Sequence, residues 1–186
     1  MTKGKDFKRG SRALYDWEIE EARRVFGSSL RYERVRVHEN VLWTNTIDRI
    51  GHWFKKMPYQ SVDNAVTIGY HCYFPDQLPA QAVAPGHPEH FKVGWLIHEL
   101  THTWQYQRLG WYYLWLVILT HLKSKQTAYD FGGESGLKSL PQELSLLNKF
   151  NLEQQGDIAR SYYNRLMTGK DVTAWQPYIN EFKENI

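Results

Sequence analysis

WLIHELTHTWQYQ, residues 95–107, is the stretch that decides the fold and the chemistry of this chain. His98 and His102 stand four residues apart within a predicted helix over residues 91–109, which Gly110 would end. An α-helix has about 3.6 residues per turn, so the two imidazoles emerge on the same face with Cβ atoms about 5–6 Å apart. Two imidazoles at that separation can bind one tetrahedral Zn²⁺ at distances of about 2.0–2.1 Å. The pattern therefore predicts Zn²⁺ as a cofactor.

Glu99 follows the first histidine directly, about 100° further round the helix axis. Its carboxylate would flank the metal instead of binding it, and from there it can take a proton from a metal-bound water. This is the physical content of the H-E-x-x-H signature of zinc hydrolases. The motif predicts Glu99 as the catalytic base, and the alternative is a helix with two ordinary histidines, one buried and one exposed.

A zinc hydrolase of this kind needs a third protein ligand. The metzincin extension requires glycine at position 105 and histidine at position 108, and Gln105 and Arg108 exclude that class. Glu153, at the start of a predicted helix over residues 152–167, is the favoured ligand. Asp157 lies one turn further on the same face, where it could accept the outer N–H of a ligating histidine. Three other acidic residues remain as rival ligands, of which the first is the strongest: Asp130, Glu134 and Glu143.

The residue that stabilises the oxyanion is less well defined by the pattern. Tyr163 lies ten positions after Glu153, about 80° round the helix, and we expect it to lean toward the cleft. His71 belongs to AVTIGYHCYF, residues 65–74, which predicts a strand that could pair with an extended substrate. Tyr162 and His121 remain as alternatives for the oxyanion.

The rest of the chain predicts an α+β fold in a single domain over residues 1–186: a small N-terminal sheet, the active-site helix and C-terminal helices. The basic N-terminus up to Arg12 is predicted to be a solvated tail, with residues 1–11 flexible. Residues 12–26 predict a helix and residues 30–41 a short strand, whereas residues 41–54 fit either. Residues 111–122, WYYLWLVILTHL, predict a buried helix, and the Gly-rich residues 129–139 predict a loop.

Composition excludes several classes of protein. The net charge of +3 comes with no segment that combines dense Lys/Arg with exposed aromatics, so no nucleic-acid partner is expected. Cys72 is the single cysteine, which excludes an intrachain disulfide. No secretory signal and no run of about 18 apolar residues is present, so we expect a cytoplasmic location in the producing cell and no membrane span. A membrane-active role for residues 111–122 is disfavoured because that run lacks a charged face.

The H98-E99-L-T-H102 motif with E153-x-x-x-D157 downstream resembles the gluzincin pattern of thermolysin-like zinc peptidases. More narrowly, residues 13–27, 34–41, 65–74, 96–107 and 151–163 occur in an order similar to the Vgr-related proteins. These carry metallopeptidase domains associated with bacterial contractile injection systems, including type VI secretion. The resemblance implies His98, His102 and Glu153 as zinc ligands, Glu99 as the base, and a link to a contractile secretion system that could export the protein. The substrate that we expect from the chemistry is a protein or peptide bound as an extra strand. A catalytically silent zinc-binding module of such an apparatus is the alternative.

Overall fold

A four-stranded sheet forms one layer of the fold, and the computed structural model describes residues 10–41, 65–113, 130–139, 145 and 149–184. The strands are β1 Ser11–Arg12, β2 Arg36–His38, β3 Val66–Ile68 and β4 His71–Tyr73. Their order in the sheet is β1-β2-β4-β3. The β2–β4 pair is parallel, and the β1–β2 and β3–β4 pairs are antiparallel.

The described ranges contain these helices: α1 Asp16–Phe26, a 3₁₀ turn Tyr32–Arg34, α2 His90–Leu109, α3 Gly133–Ser139, α4 Leu152–Met167 and α5 Gln176–Lys183. Of these, α2 packs against the sheet, on β3 and β4. The α+β prediction is confirmed, as are the helix that carries the histidines and the helix that begins at residue 152. Asn151 caps α4, because its side chain accepts from the Gln154 N–H while the Gln154 side chain accepts from the Asn151 N–H.

Helix α2 is the centre of the molecule, and it packs closely on α4. Gly94 permits this approach, since a Cβ there would lie 2.5 Å from Oδ1 of Asn164 on α4. Apolar side chains of α2, including Leu96, Ile97 and Leu100, belong to the main core. Since α2 is buried on most sides, it also carries polar side chains into the interior, where they need hydrogen-bond partners.

The AVTIGYHCYF stretch is a hairpin and not the single strand expected from its composition. Strands β3 and β4 are joined by Gly69 and Tyr70, and Ile68 pairs with His71 across the turn. Gly69 has a φ of +66°, a conformation that glycine supplies at little cost in two-residue hairpin turns. The β-branched and aromatic pattern continues on both sides of the turn, which is why the sequence alone predicted one strand.

The end of the N-terminal basic segment differs from the flexible tail that was expected, since Ser11 and Arg12 form β1. Arg12 is only 6% exposed, and its guanidinium contacts Glu18 at 2.7 Å and Glu39 at 3.0 Å. A buried guanidinium needs such partners. Charge alone suggested a solvated tail, but the two acids bind Arg12 into the fold. Because Arg12 belongs to β1, α1 begins at Asp16 and not at residue 12.

The Gly-rich segment 129–139 contains a helix, α3, where a loop was expected. Gly132 and Gly133 take positive φ values at its start, and the following residues complete the helix. Leu137 is buried, and its carbonyl accepts from the Tyr178 hydroxyl at 3.2 Å. Packing thus stabilises a segment whose glycines disfavour a helix.

Several predictions fall outside the described residues, namely those on residues 1–9, on residues 42–54, on residues 114–122 and on Glu143. Among the helices in the described ranges, none is both long and apolar enough to cross a lipid bilayer.

Candidate metal centre

Two turns of α2 and the first turn of α4 bring together three side chains that can ligate a metal: His98, His102 and Glu153. One ligand atom from each lies within 4.8 Å of the others. Oε2 of Glu153 is 3.3 Å from Nε2 of His98 and 3.4 Å from Nε2 of His102. All three residues are 4–5% exposed. The structure therefore brings the sequence-predicted ligand set to one point, and we call these three residues the His–His–Glu group.

The rival third ligands make other contacts. Asp130 is exposed, and its Oδ1 accepts from the Gly132 N–H at 2.8 Å. Glu134 contacts Lys138 at 2.6 Å and Arg165 at 3.2 Å. Neither belongs to the His–His–Glu group.

Each histidine of the group is held at its outer nitrogen by an oxygen. Nδ1 of His98 lies 3.0 Å from Oδ1 of Asp157, the contact that the sequence predicted, and Nδ1 of His102 lies 2.8 Å from Oε1 of Gln105. A neutral imidazole that donates from Nδ1 carries its lone pair on Nε2, the nitrogen that faces Glu153. Both rings are therefore oriented for ligation, as in metal sites whose histidines donate to a carboxylate or amide oxygen.

Gln105 holds the His102 ring, a contact that the sequence analysis missed because it used Gln105 only to exclude the metzincin class. Its amide nitrogen donates to the Leu152 carbonyl at 2.9 Å and to Oε1 of Gln155 at 2.8 Å. These bonds leave the amide oxygen to accept from His102. Its place three residues after His102 on a helix is a signal that could have indicated the contact.

The charges within the His–His–Glu group stabilise one another. Burial alone would raise the pKa of Glu153, but the charge of His102 and hydrogen bonds from both imidazoles hold that pKa well below its ordinary value. Burial would likewise lower the pKa of His98, but hydrogen bonds to Asp157 and Glu153 outweigh it and raise the pKa to about 10. The pKa of His102 is raised as well, because the charge of Glu153 overcomes burial. Two imidazoles and one carboxylate form the donor set of a three-ligand zinc site, and the residues present fit that metal.

Zinc binding is therefore expected to release protons, because a ligating imidazole must be neutral. At pH 8 the metal-free His98 holds its proton, since its pKa is about 10, and that proton must leave. We expect at least about one proton released per site, and an affinity that falls as the pH falls. Calorimetry in buffers of different ionisation enthalpy measures this number, with His71→Ala as a control that should match the parent. A binding heat that does not depend on the buffer would contradict the prediction.

Gly156 on α4 leaves the space that the His98 ring occupies. An added Cβ would lie 2.7 Å from Cε1, 2.8 Å from Nδ1 and 2.9 Å from Nε2 of His98. Such distances are too short for real atoms, so any side chain at position 156 must displace the imidazole. The sequence gives no sign that glycine is needed at position 156, because the side chain that needs the space, His98, lies far away along the chain.

Gly156→Ala is expected to weaken zinc binding although alanine favours a helix by about 1 kcal/mol over glycine. A displaced His98 ring loses its alignment, for which we expect an affinity about 10–100-fold lower, as when a group that orients a ligand is removed. Competition with a chromogenic chelator measures the affinity. Gly94→Ala is the comparison variant, because it crowds the same two helices at Asn164 and not at a ligand, so a smaller loss of affinity there assigns the effect in Gly156→Ala to the displaced ring. Equal affinities for Gly156→Ala and the parent would contradict this account of Gly156.

Glu99 lies outside the ligand group, and its carboxylate is buried beside strand β3. Oε2 of Glu99 accepts from the Thr67 hydroxyl at 2.7 Å. The position fits the predicted arrangement, in which Glu99 flanks a metal instead of binding it. Its role as a base stays a prediction.

Tyr163 is directed to α1 and not to the His–His–Glu group. Its hydroxyl donates to Oε2 of Glu21 at 2.9 Å, and its ring stacks on His90 with centroids 5.3 Å apart. The 80° rotation from Glu153 thus turns the phenol toward the α1 side of α4, where Glu21 holds it. Of the alternatives, Tyr162 is buried, and His121 lies outside the described residues.

Tyr113 is the tyrosine that the structure places beside the group. Its ring centroid is 5.8 Å from that of His102, and its hydroxyl donates to the Thr67 carbonyl at 3.5 Å. Burial raises the pKa of Tyr113 well above its ordinary value, and the charges of Glu99 and Glu153 add to the effect. Nothing in the sequence indicated this contact, because Tyr113 lies within residues 111–122, an apolar run that predicts a buried helix.

His71 does not lie on an edge strand, contrary to the expectation that linked it to substrate. Strand β4 lies between β2 and β3. Of the two strands that pack on α2, β3 is the one at the edge of the described sheet. His71 Nδ1 instead lies 2.9 Å from Nε2 of His38, beside Tyr73. The correction follows from the hairpin, which makes β3 and not β4 the outer strand.

The fold and the site together define an α+β domain with a buried His–His–Glu group. Over 161 residues, 86% of the chain, the sequence is 30% identical to the type VI secretion system spike protein VgrG2b of Pseudomonas aeruginosa strain PAO1. The chain spans 13% of the length of that relative. No protein-family model matches the chain. No solved structure matches it either.

Proposed function

We propose that this protein is a zinc-dependent peptidase of the gluzincin type. The observation that carries the proposal is the convergence of His98, His102 and Glu153, with both outer imidazole nitrogens held by oxygens. Zn²⁺ bound there would lower the pKa of a water molecule and polarise the carbonyl to be attacked. The three ligands among the described residues leave a position for water and substrate, as catalytic zinc sites require.

The chain's own residues would then perform the proton transfers. Glu99 takes the proton from the attacking water and passes it to the leaving amine. Its carboxylate stands next to the ligand helix and is held on one side by Thr67. Tyr113 replaces Tyr163 as the proposed donor to the oxyanion, because its buried ring lies beside that of His102 and, among the described residues, its hydroxyl makes only a long contact, 3.5 Å, to the Thr67 carbonyl.

The proposed substrate is a peptide in extended conformation. Strand β3 packs against α2 and has only β4 as a partner in the described sheet, so its other edge can pair with a further strand. Thr67 stands in the middle of β3, directly beside Glu99, and a peptide added there would pass close to the base. His71 on β4 has no part in this arrangement.

The similarity to a type VI spike protein supports a second, coarser proposal, that the protein works with a contractile secretion system. The match covers 86% of the chain. Comparing the protein's abundance in culture supernatants of cells with and without a working secretion sheath tests this link. Equal abundance in the two supernatants would contradict it.

A catalytically silent zinc-binding module is the alternative function, and the burial of the group favours it. Ligands that are 4–5% exposed resemble those of a structural site more than those of an open cleft. Two features oppose it. A closed structural zinc site has four protein ligands, but the group among the described residues has three. A structural site would also give Glu99 no role.

The proposed function is tested by incubating the purified full chain with an unfolded protein substrate. We expect new peptide termini by mass spectrometry, their loss after chelation, and their return when zinc is added. A zinc-loaded protein that produces no zinc-dependent fragments would contradict the peptidase proposal.

A further inference from the structure

Strand β3 supplies a polar contact to Glu99 that no motif in the sequence indicates. The Thr67 hydroxyl lies 2.7 Å from Oε2 of Glu99 and 3.3 Å from its carbonyl oxygen. A hydroxyl has one proton to donate, so the shorter contact, to the carboxylate, is the stronger one. Within the described ranges, Thr67 is the one side chain seen to hydrogen bond to this carboxylate.

The surroundings make this hydrogen bond specific. Thr67 and Glu99 are 5% and 4% exposed, so water does not compete freely for the carboxylate at that side. Thr67 is also fixed in the sheet, where it pairs with Cys72 of β4. A hydrogen bond from a sheet residue to a helix side chain sets the carboxylate relative to both elements, because each is rigid.

We infer that Thr67 positions the Glu99 carboxylate for proton transfer, by holding Oε2 and leaving Oε1 as the oxygen that accepts the proton. The inference rests on the proposed function for its chemical meaning. Thr67 acts through Glu99, so it is a positioning residue. Without the Thr67 hydroxyl, the Glu99 side chain can rotate about its bonds, and its carboxylate is less often in the position to take a proton from water.

The same strand residue also holds Tyr113. The Thr67 carbonyl accepts from the Tyr113 hydroxyl at 3.5 Å, so one residue of β3 contacts both the proposed base and the proposed oxyanion donor. A peptide that pairs with β3 would therefore bind to the strand that sets both groups. This juxtaposition depends on β3 lying against α2, which the sequence analysis did not predict.

Thr67→Val and Thr67→Ser test the inference, because valine keeps the shape and removes the hydroxyl while serine keeps the hydroxyl. We expect kcat for the zinc-loaded Thr67→Val protein to fall about 10–100-fold with KM nearly unchanged, and serine to restore most of it. Thr103→Val is the matched control, since the Thr103 hydroxyl is buried and reaches only the Glu99 carbonyl, at 3.5 Å, and Cys72. In a Glu99→Gln background, Thr67→Val should lower the rate no further.

Crystal structures of the zinc-loaded variants provide a readout that does not depend on activity. The Glu99 carboxylate should be displaced or spread over several rotamers in Thr67→Val, and should keep its place in Thr67→Ser and Thr103→Val. An unchanged carboxylate in Thr67→Val, or an unchanged kcat in an active protein, would overturn the inference. If the parent protein cleaves nothing, the proposed function fails, while the diffraction result still decides whether Thr67 holds Glu99.

Discussion

Replacing Glu153 with alanine is expected to abolish stoichiometric zinc binding, with an affinity more than about a hundredfold below that of the parent. Oε2 of Glu153 lies within 3.4 Å of Nε2 of both histidines, so its loss removes the charged ligand and the group that draws the two rings to one point. Two imidazoles alone make an incomplete zinc site. Metal analysis of purified protein after dialysis measures the effect, with about one zinc per chain expected for the parent.

Two comparisons separate loss of the ligand from loss of the fold. Asp130→Ala removes the strongest rival carboxylate, which is exposed and hydrogen bonded to Gly132, and it should retain zinc. Glu153→Gln keeps the shape of the side chain, and its circular dichroism spectrum should match that of the chelated parent. A Glu153→Ala protein that keeps its zinc while Asp130→Ala loses it would assign the third ligand to Asp130 instead.

Replacing Glu99 with glutamine is expected to leave zinc bound and to lower hydrolysis about 10²–10⁴-fold. The amide keeps the size of the carboxylate and can still accept from Thr67 through its oxygen, but it cannot take a proton from water. Peptide cleavage by the zinc-loaded parent and variant, measured at equal metal content, gives the ratio.

The same variant distinguishes the two candidate functions. Cleavage by Glu99→Gln at the parental rate would remove Glu99 from the mechanism, whereas loss of zinc would make it a ligand or a structural partner. A silent zinc module predicts no cleavage by either protein and equal zinc-dependent stability for both. His98→Ala is the matched control, because it should lose metal and activity together.

The ligand group could be predicted from sequence because its spacing follows from helix geometry. His98 and His102 are one turn apart on one helix, and Glu153 and Asp157 are one turn apart on another, so each pair is fixed locally. Only the approach of the two helices had to be assumed, and in the structure α2 and α4 do pack against each other and bring the three ligands together.

The residues that support the group could not be predicted, because each depends on packing between distant segments. Thr67 faces Glu99 only because a two-residue turn at Gly69 makes β3 the outer strand beside α2. Gly156 is needed only because the His98 ring lies against α4. Tyr163 shows the converse, since a helical angle placed it near the cleft but Glu21 of α1 binds its hydroxyl.

Anomalous diffraction from crystals of the zinc-loaded protein, recorded on both sides of the zinc absorption edge, tests the central claim most directly. We predict one strong peak within bonding distance of Nε2 of His98, Nε2 of His102 and an oxygen of Glu153, at about 2.0–2.2 Å from each. No peak between α2 and α4, or a peak held by other side chains, would contradict it.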